Sequence, residues 1–137
     1  MNYTVKKNRN FEARIYIGSR ARYVGPLFTF AELRTAISLY QHENGLDACN
    51  PVRITPTTYV WDEYMEDGWE IAVIDYPRQS KSHIVLRDFT FNLGVHLLER
   101  FRQNRISIVF SDEIVMLESD EAETTHKGEA SAASNQS

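Results

Sequence analysis

One cysteine stands in the whole 137-residue chain, so no internal disulfide is possible, and a reducing cytoplasm is the expected setting. No cysteine pair of the zinc-binding kind exists. The four histidines, His42, His83, His96 and His126, show no i,i+4 pair and no His-x-Glu or His-x-Thr pair, so the sequence implies no metal and no cofactor. Long apolar runs are also missing. None approaches the roughly 20 residues of a membrane helix, so no membrane association is expected. The basic start is followed by no apolar stretch and is not expected to act as a secretory signal. The glycines form neither a P-loop nor a dinucleotide fingerprint. A net charge of −4 argues against a general nucleic-acid binder. Tyr59 and Trp61 alternate on one strand face, but the Lys/Arg-Gly-Phe motif of an RNA-stacking sheet is absent.

What is present is an ordinary globular composition rich in aromatics, with seven Tyr, seven Phe and two Trp. The charge is uneven. Residues 1–23 carry six basic side chains against Glu12, and residues 111–137 carry seven acids against Lys127. The expected organisation is a flexible basic N-terminus (1–10), one α+β domain (11–119) and a disordered acidic tail (120–137). The tail composition cannot repay the entropy of ordering.

Ala13 to Ile17 alternates as a strand, and Gly18 with Gly25-Pro26 frames a loop after it. Thr29 and Glu32 make a capping box, Phe28 and Leu33 a hydrophobic staple, and Asn44-Gly45 a stop. The spacing predicts a helix over 30–43. Val52 to Trp61 reads as a strand that lies at an edge or carries a bulge at Pro56. Asp67-Gly68 reads as the hairpin turn that ends an acidic 62–68 segment, with 69–76 as a central return strand. A second helix is expected from near Asp88 to Gln103, and a strand follows at 106–110, joined to 114–117 as a tight hairpin or as one bulged strand. The order is that of a ferredoxin-like βαββαβ fold, an antiparallel sheet with two helices on one face. The second helix is apolar around much of its circumference. Phe89, Leu93 and Leu97 therefore predict either a homo-oligomer contact or contact with the first helix of the same subunit.

Candidate ligand residues come from loops at strand ends. Arg20, Arg22 and Tyr23 follow the first strand, where guanidinium groups suit phosphate and a tyrosine suits a base. Arg78 follows Pro77 at the end of the central strand. Ser111 and Asp112, beside Glu113, offer hydroxyl and carboxylate at a turn; these groups suit a ribose, acid/base work or plain solvation. No catalytic constellation is recognisable; residue chemistry alone leaves the function open, and the expectation of a binding protein and not an enzyme rests on a family resemblance.

The segments Ile15-Tyr16-Ile17-Gly18, Ile54-Thr55-Pro56-Thr57, Asp75-Tyr76-Pro77-Arg78 and Val109-Phe110-Ser111-Asp112-Glu113 give the chain a resemblance to small bacteriophage accessory proteins. It most resembles the first family of phage anti-Thoeris proteins. That resemblance implies a symmetric homo-oligomer in the host-cell cytoplasm that sequesters a small nucleotide, a cyclic ADP-ribose isomer, without cleaving it. The basic start and the acidic tail depart from that family. The residues themselves leave open an inhibitor of a host protein, acting through the edge strand, and a small hydrolase using Asp112 or Glu113.

Overall fold

The structure, a computed structural model, describes residues 1–120. The acidic tail lies outside the described residues apart from Asp120. Residues 1–10 are exposed and form no regular secondary structure, with Asn8 Nδ2 donating to the Asp75 carbonyl at 3.4 Å.

Five strands and two long helices follow in the order β1 (Glu12–Gly18), α1 (Phe30–Asn44), β2 (Arg53–Trp61), β3 (Tyr64–Ile74), α2 (His83–Arg100), β4 (Arg105–Phe110) and β5 (Ile114–Glu118), with a short 3-10 turn at Pro77–Gln79. The sheet order is β2-β3-β1-β4-β5, antiparallel throughout. This is the ferredoxin-like arrangement, extended by β5 beyond β4. Period-two alternation sends Ala13, Ile15 and Ile17 of β1, Ile71 and Val73 of β3, and Ile106 and Ile108 of β4 into the core. There they meet Leu33 and Ile37 of α1 and Leu86, Leu93 and Leu97 of α2. Each such aliphatic side chain contributes about 1.5–3 kcal/mol by leaving water.

The helix starts are chemical. Thr29 Oγ1 accepts the Glu32 amide at 3.1 Å, as the capping box predicts. Ser82 Oγ accepts the Val85 amide at 3.2 Å, so α2 begins at His83 and not near Asp88. Gly94 lets α2 settle on the sheet; a β-carbon there would come within 2.7 Å of Ile108 Cδ1. Pro56 lies on edge strand β2, as expected, and β3 is central.

Two further expectations are corrected. The hairpin turns at Asp62-Glu63, and Asp67-Gly68 lies inside β3, paired with Thr58 and Thr57. Phe89, Leu93 and Leu97 do not face a second subunit. They are buried against the sheet and core of their own chain, and Tyr40 of α1 packs on Phe89 and His96 with ring centroids 6.4 and 4.9 Å away. Much of the apolar breadth of α2 is used within the subunit, while Ile84 and Phe91 stay exposed.

Candidate functional site

The helices cover one face of the sheet. On the opposite face the same alternation displays Arg14 and Tyr16 of β1, Glu66 and Glu70 of β3, Thr55, Thr57 and Tyr59 of β2, and Arg105 and Ser107 of β4. Register makes neighbours of them: Tyr16 stands beside Glu70 on one side and Ser107 on the other, Glu70 beside Thr55, and Tyr59 beside Glu66. The Tyr16 phenol donates to Glu70 Oε1 at 2.9 Å, and Arg14 Nε lies 3.4 Å from the same oxygen. Tyr16 and Tyr59 meet edge to face at 6.4 Å.

Two paired glycines shape this face. Gly18 of β1 and Gly68 of β3 are opposite each other and carry no side chain into it. The Tyr59 ring lies over Gly68, and the Glu66 carboxylate over Gly18. Tyr59 Oη donates to the Trp69 carbonyl at 3.1 Å. Burial raises its phenol well above the ordinary tyrosine value, and the nearby Tyr16, Glu66 and Glu70 add to this. Tyr59 is thus held neutral in a field of carboxylates.

At its Gly18 end the face runs into a cleft of about 350 Å³ under the 19–27 loop, lined by Ser19, Arg20, Tyr23, Tyr64, Glu66 and Trp69 among others. Glu66 is fixed there by the Arg20 amide at 3.1 Å and the Tyr64 hydroxyl at 2.9 Å. Tyr64 meets Tyr23 edge to face at 6.3 Å, and Arg105 Nη1 donates to Tyr23 Oη at 3.3 Å. Burial first, then the Glu66 carboxylate, pushes the Tyr64 phenol up to about 12. Arg22 and Tyr23 adopt φ of 50° and 65°, a left-handed conformation costing about 1–2 kcal/mol per non-glycine residue. The loop holds them there through the Arg22 amide on the Arg102 carbonyl and the Ala21 amide on the Pro26 carbonyl, at 3.0 and 3.1 Å.

The six residues expected from sequence fall at two ends of the sheet. Arg20 and Tyr23 line the cleft, and Arg22 shares their loop. Arg78 lies exposed in the 3-10 turn beyond β3, and Ser111 and Asp112 lie in the β4–β5 turn. These three sit at the Glu12 end of β1, roughly 20 Å from Gly18 at strand rise. Asp112 is engaged by Arg87 of α2 at 3.0 Å, and Glu113 pairs with the other nitrogen of that guanidinium. The turn carboxylates therefore tie β5 to α2. Sequence reasoning missed Tyr16, Glu66 and Glu70, and weighed Tyr59 only as a nucleic-acid stacking residue. The available signal was a glutamate at position 70, beside the apolar Ile71-Ala72-Val73 run of a central strand.

No family model matches the sequence, and no curated protein matches it. Two solved structures share the fold. One is described as a phage SAM lyase in complex with S-methyl-5'-thioadenosine; it aligns with a TM-score of 0.68 and 16% identity over 88% of this chain and 98% of its own. The other is described as a phage SAM lyase in the apo state, with a TM-score of 0.58 and 19% identity over 80% of this chain and 90% of its own. The expectation of a non-enzymatic protein is corrected by this likeness. An enzyme is built on the same fold, so the lack of a familiar motif does not argue against catalysis.

Proposed function

We propose that the chain is a phage-type lyase that binds S-adenosylmethionine on the open sheet face and releases S-methyl-5'-thioadenosine. The observation that carries this reading is the band Tyr16–Glu70–Tyr59–Glu66 on the uncovered face of a fold shared with a phage SAM lyase. A sulfonium is a permanent cation. Carboxylates and aromatic faces in a partly desolvated setting are the groups that hold one. A neutral tyrosine such as Tyr59 supplies a ring without competing for protons at physiological pH.

The chemistry needs no protein nucleophile, which fits a chain without a catalytic motif. One oxygen of the substrate's own carboxylate attacks its Cγ. The Cγ–S bond breaks, and its electron pair goes to sulfur. A neutral thioether and a five-membered lactone leave, with no water and no net proton transfer. The protein's task is to hold the substrate folded on itself and to exclude water, and positioning alone is worth about 7–11 kcal/mol at best. One sheet face cannot exclude water, so a second copy of the chain covers it. Ile114 and Met116 of β5 share this face and are 71% and 55% exposed, as an interface requires. This homo-oligomer contact replaces the one expected through α2.

A second ligand has its own support. Arg20, Tyr23 and Tyr64 line one cleft, and a guanidinium beside tyrosine rings suits a phosphate and an adenine. That suits the cyclic ADP-ribose isomers implied by the resemblance to phage anti-Thoeris proteins.

The test incubates the purified full chain with S-adenosylmethionine and follows both thioether and lactone by mass spectrometry. Equimolar appearance of the two is expected. Intact substrate after prolonged incubation overturns the lyase reading, and calorimetric binding of a cyclic ADP-ribose isomer in its place would favour the second ligand.

A further inference from the structure

A larger cleft, about 650 Å³, opens at the other end of the molecule, between the C-terminus of α1, the start of β2 and the segment after the 3-10 turn. Nothing in the proposed lyase site reaches it. Its volume lies within the roughly 300–1,000 Å³ of small-molecule sites. Its walls differ in charge. Lys81 forms one side, and the only partner recorded for its ammonium is Asn50 Oδ1 at 3.5 Å, with no carboxylate in ion-pair range among the described residues. Asp47 stands on the α1 side, where the last carbonyls of the helix add negative potential. The same lining holds Leu46, Pro51 and the buried Cys49, whose thiol is pushed up by burial and so stays uncharged.

The polar parts of this cleft are held rigidly. Asn50 is 2% exposed. Its Nδ2 donates to the Ile74 and Pro51 carbonyls at 2.8 and 3.1 Å, which aims Oδ1 at Lys81. Gln41 Nε2 donates to the Asn50 carbonyl at 2.8 Å. Asp75 accepts the Lys81 amide and the Ser80 hydroxyl, both at 3.1 Å, and so fixes the segment that presents Lys81. A cation, a carboxylate and apolar side chains in one cleft match a zwitterionic ligand with an apolar part.

We infer that this cleft binds a free α-amino acid with an apolar side chain, its carboxylate on Lys81 and its ammonium on Asp47 and the α1 C-terminus. The site is separate from the lyase reading and does not depend on it.

The probe is L-methionine, titrated into the nitrogen-labelled full chain while the side-chain amide signals of Gln41 and Asn50 are followed by NMR. Both are expected to shift. N-acetyl-L-methionine, which lacks the ammonium, and L-methioninol, which lacks the carboxylate, should bind at least tenfold more weakly. Lys81→Met and Asp47→Asn should weaken L-methionine binding to the same degree, with unchanged circular dichroism. Asp47 is exposed, so its variant folds in any case. No shift at millimolar L-methionine overturns the proposal. An equal response to acetate or to the N-acetyl compound also overturns it, because it would mark a simple anion site. S-adenosylmethionine turnover by both variants should equal that of the wild type, so failure of one proposal is read separately from failure of the other.

Discussion

The ring of Tyr59 lies on Gly68 so closely that a β-carbon at position 68 would come within 2.8 Å of Tyr59 Cε2 and 2.3 Å of the Ile17 carbonyl oxygen. The second contact is with backbone and cannot be relieved by a rotamer change. Gly68→Ala should therefore lose about 1–3 kcal/mol, the usual cost of overpacking. Urea denaturation measures it. A variant as stable as the wild type would show that the two central strands are not this tightly apposed.

Asp112 gives the acid limb of stability a specific origin. Its hydrogen bond to Arg87 holds the carboxyl below its ordinary value, against an opposing desolvation. A depressed folded pKa contributes stability that is present above the unfolded value, near 3.9, and lost as pH falls through the folded value. Asp112→Asn should narrow the gap between neutral and acid unfolding midpoints. The two proteins should converge once the wild-type carboxyl is protonated. Equal pH profiles at all values would show that the Arg87 contact does not form in solution.

The fold was largely legible because its signals are local. The capping box at Thr29, the proline on the β2 edge and the alternation of β1 each act within a few residues. Asp67-Gly68 misled because the pair has turn chemistry, while its actual role depends on strands distant in sequence. Gly68 is bare so that the Tyr59 ring can lie there, and nothing within five residues on either side announces that. The site was illegible for the same reason. Tyr16, Tyr59 and Glu70 are separated by up to 54 positions and meet only through strand register. Loop arginines such as Arg78 drew notice as isolated cations, yet the cation placed in a cleft at that end is Lys81, three positions on.

Tyr64 should titrate late. Its phenol sits at about 12, so its ionisation step in ultraviolet absorbance should lie about two pH units above that of exposed tyrosines. The raised folded value contributes stability that is complete below the unfolded value, near 10, and is lost as pH rises through about 12. Tyr64→Phe should remove one late-titrating phenol and leave that of Tyr59, which is also raised. Glu66→Gln should bring the Tyr64 step down, since the carboxylate is the second cause of the shift.

Replacing Leu93 and replacing Met116 should have opposite consequences. Leu93 is fully buried between α2 and the sheet, so Leu93→Ala should cost about 2–5 kcal/mol without altering subunit association. Met116 is exposed on the open face, so Met116→Glu should leave the unfolding midpoint of the isolated subunit nearly unchanged and dissociate any oligomer built on that face. Native mass spectrometry with thermal melts separates the two effects. An oligomer that survives Met116→Glu and fails with Leu93→Ala at a temperature where the subunit stays folded would return the contact to α2.

Glu70 is the side chain on which the lyase reading stands or falls. Both recorded polar contacts, from Tyr16 and Arg14, fall on Oε1, so its charge is anchored from one side by two strand neighbours. Glu70→Gln keeps the shape and removes the charge that would face the sulfonium. It should lower kcat/KM for S-adenosylmethionine at least tenfold, equivalent to about 1.4 kcal/mol. Binding of S-methyl-5'-thioadenosine, which has no sulfonium charge, should change by far less. Tyr16→Phe tests the anchor: the carboxylate stays but loses its 2.9 Å donor, so the effect on kcat/KM should be smaller and of the same sign. If Glu70→Gln weakened the charged substrate and the neutral thioether equally, Glu70 would be shaping the face and not holding a cation. The sulfonium assignment would then fail even with the fold intact.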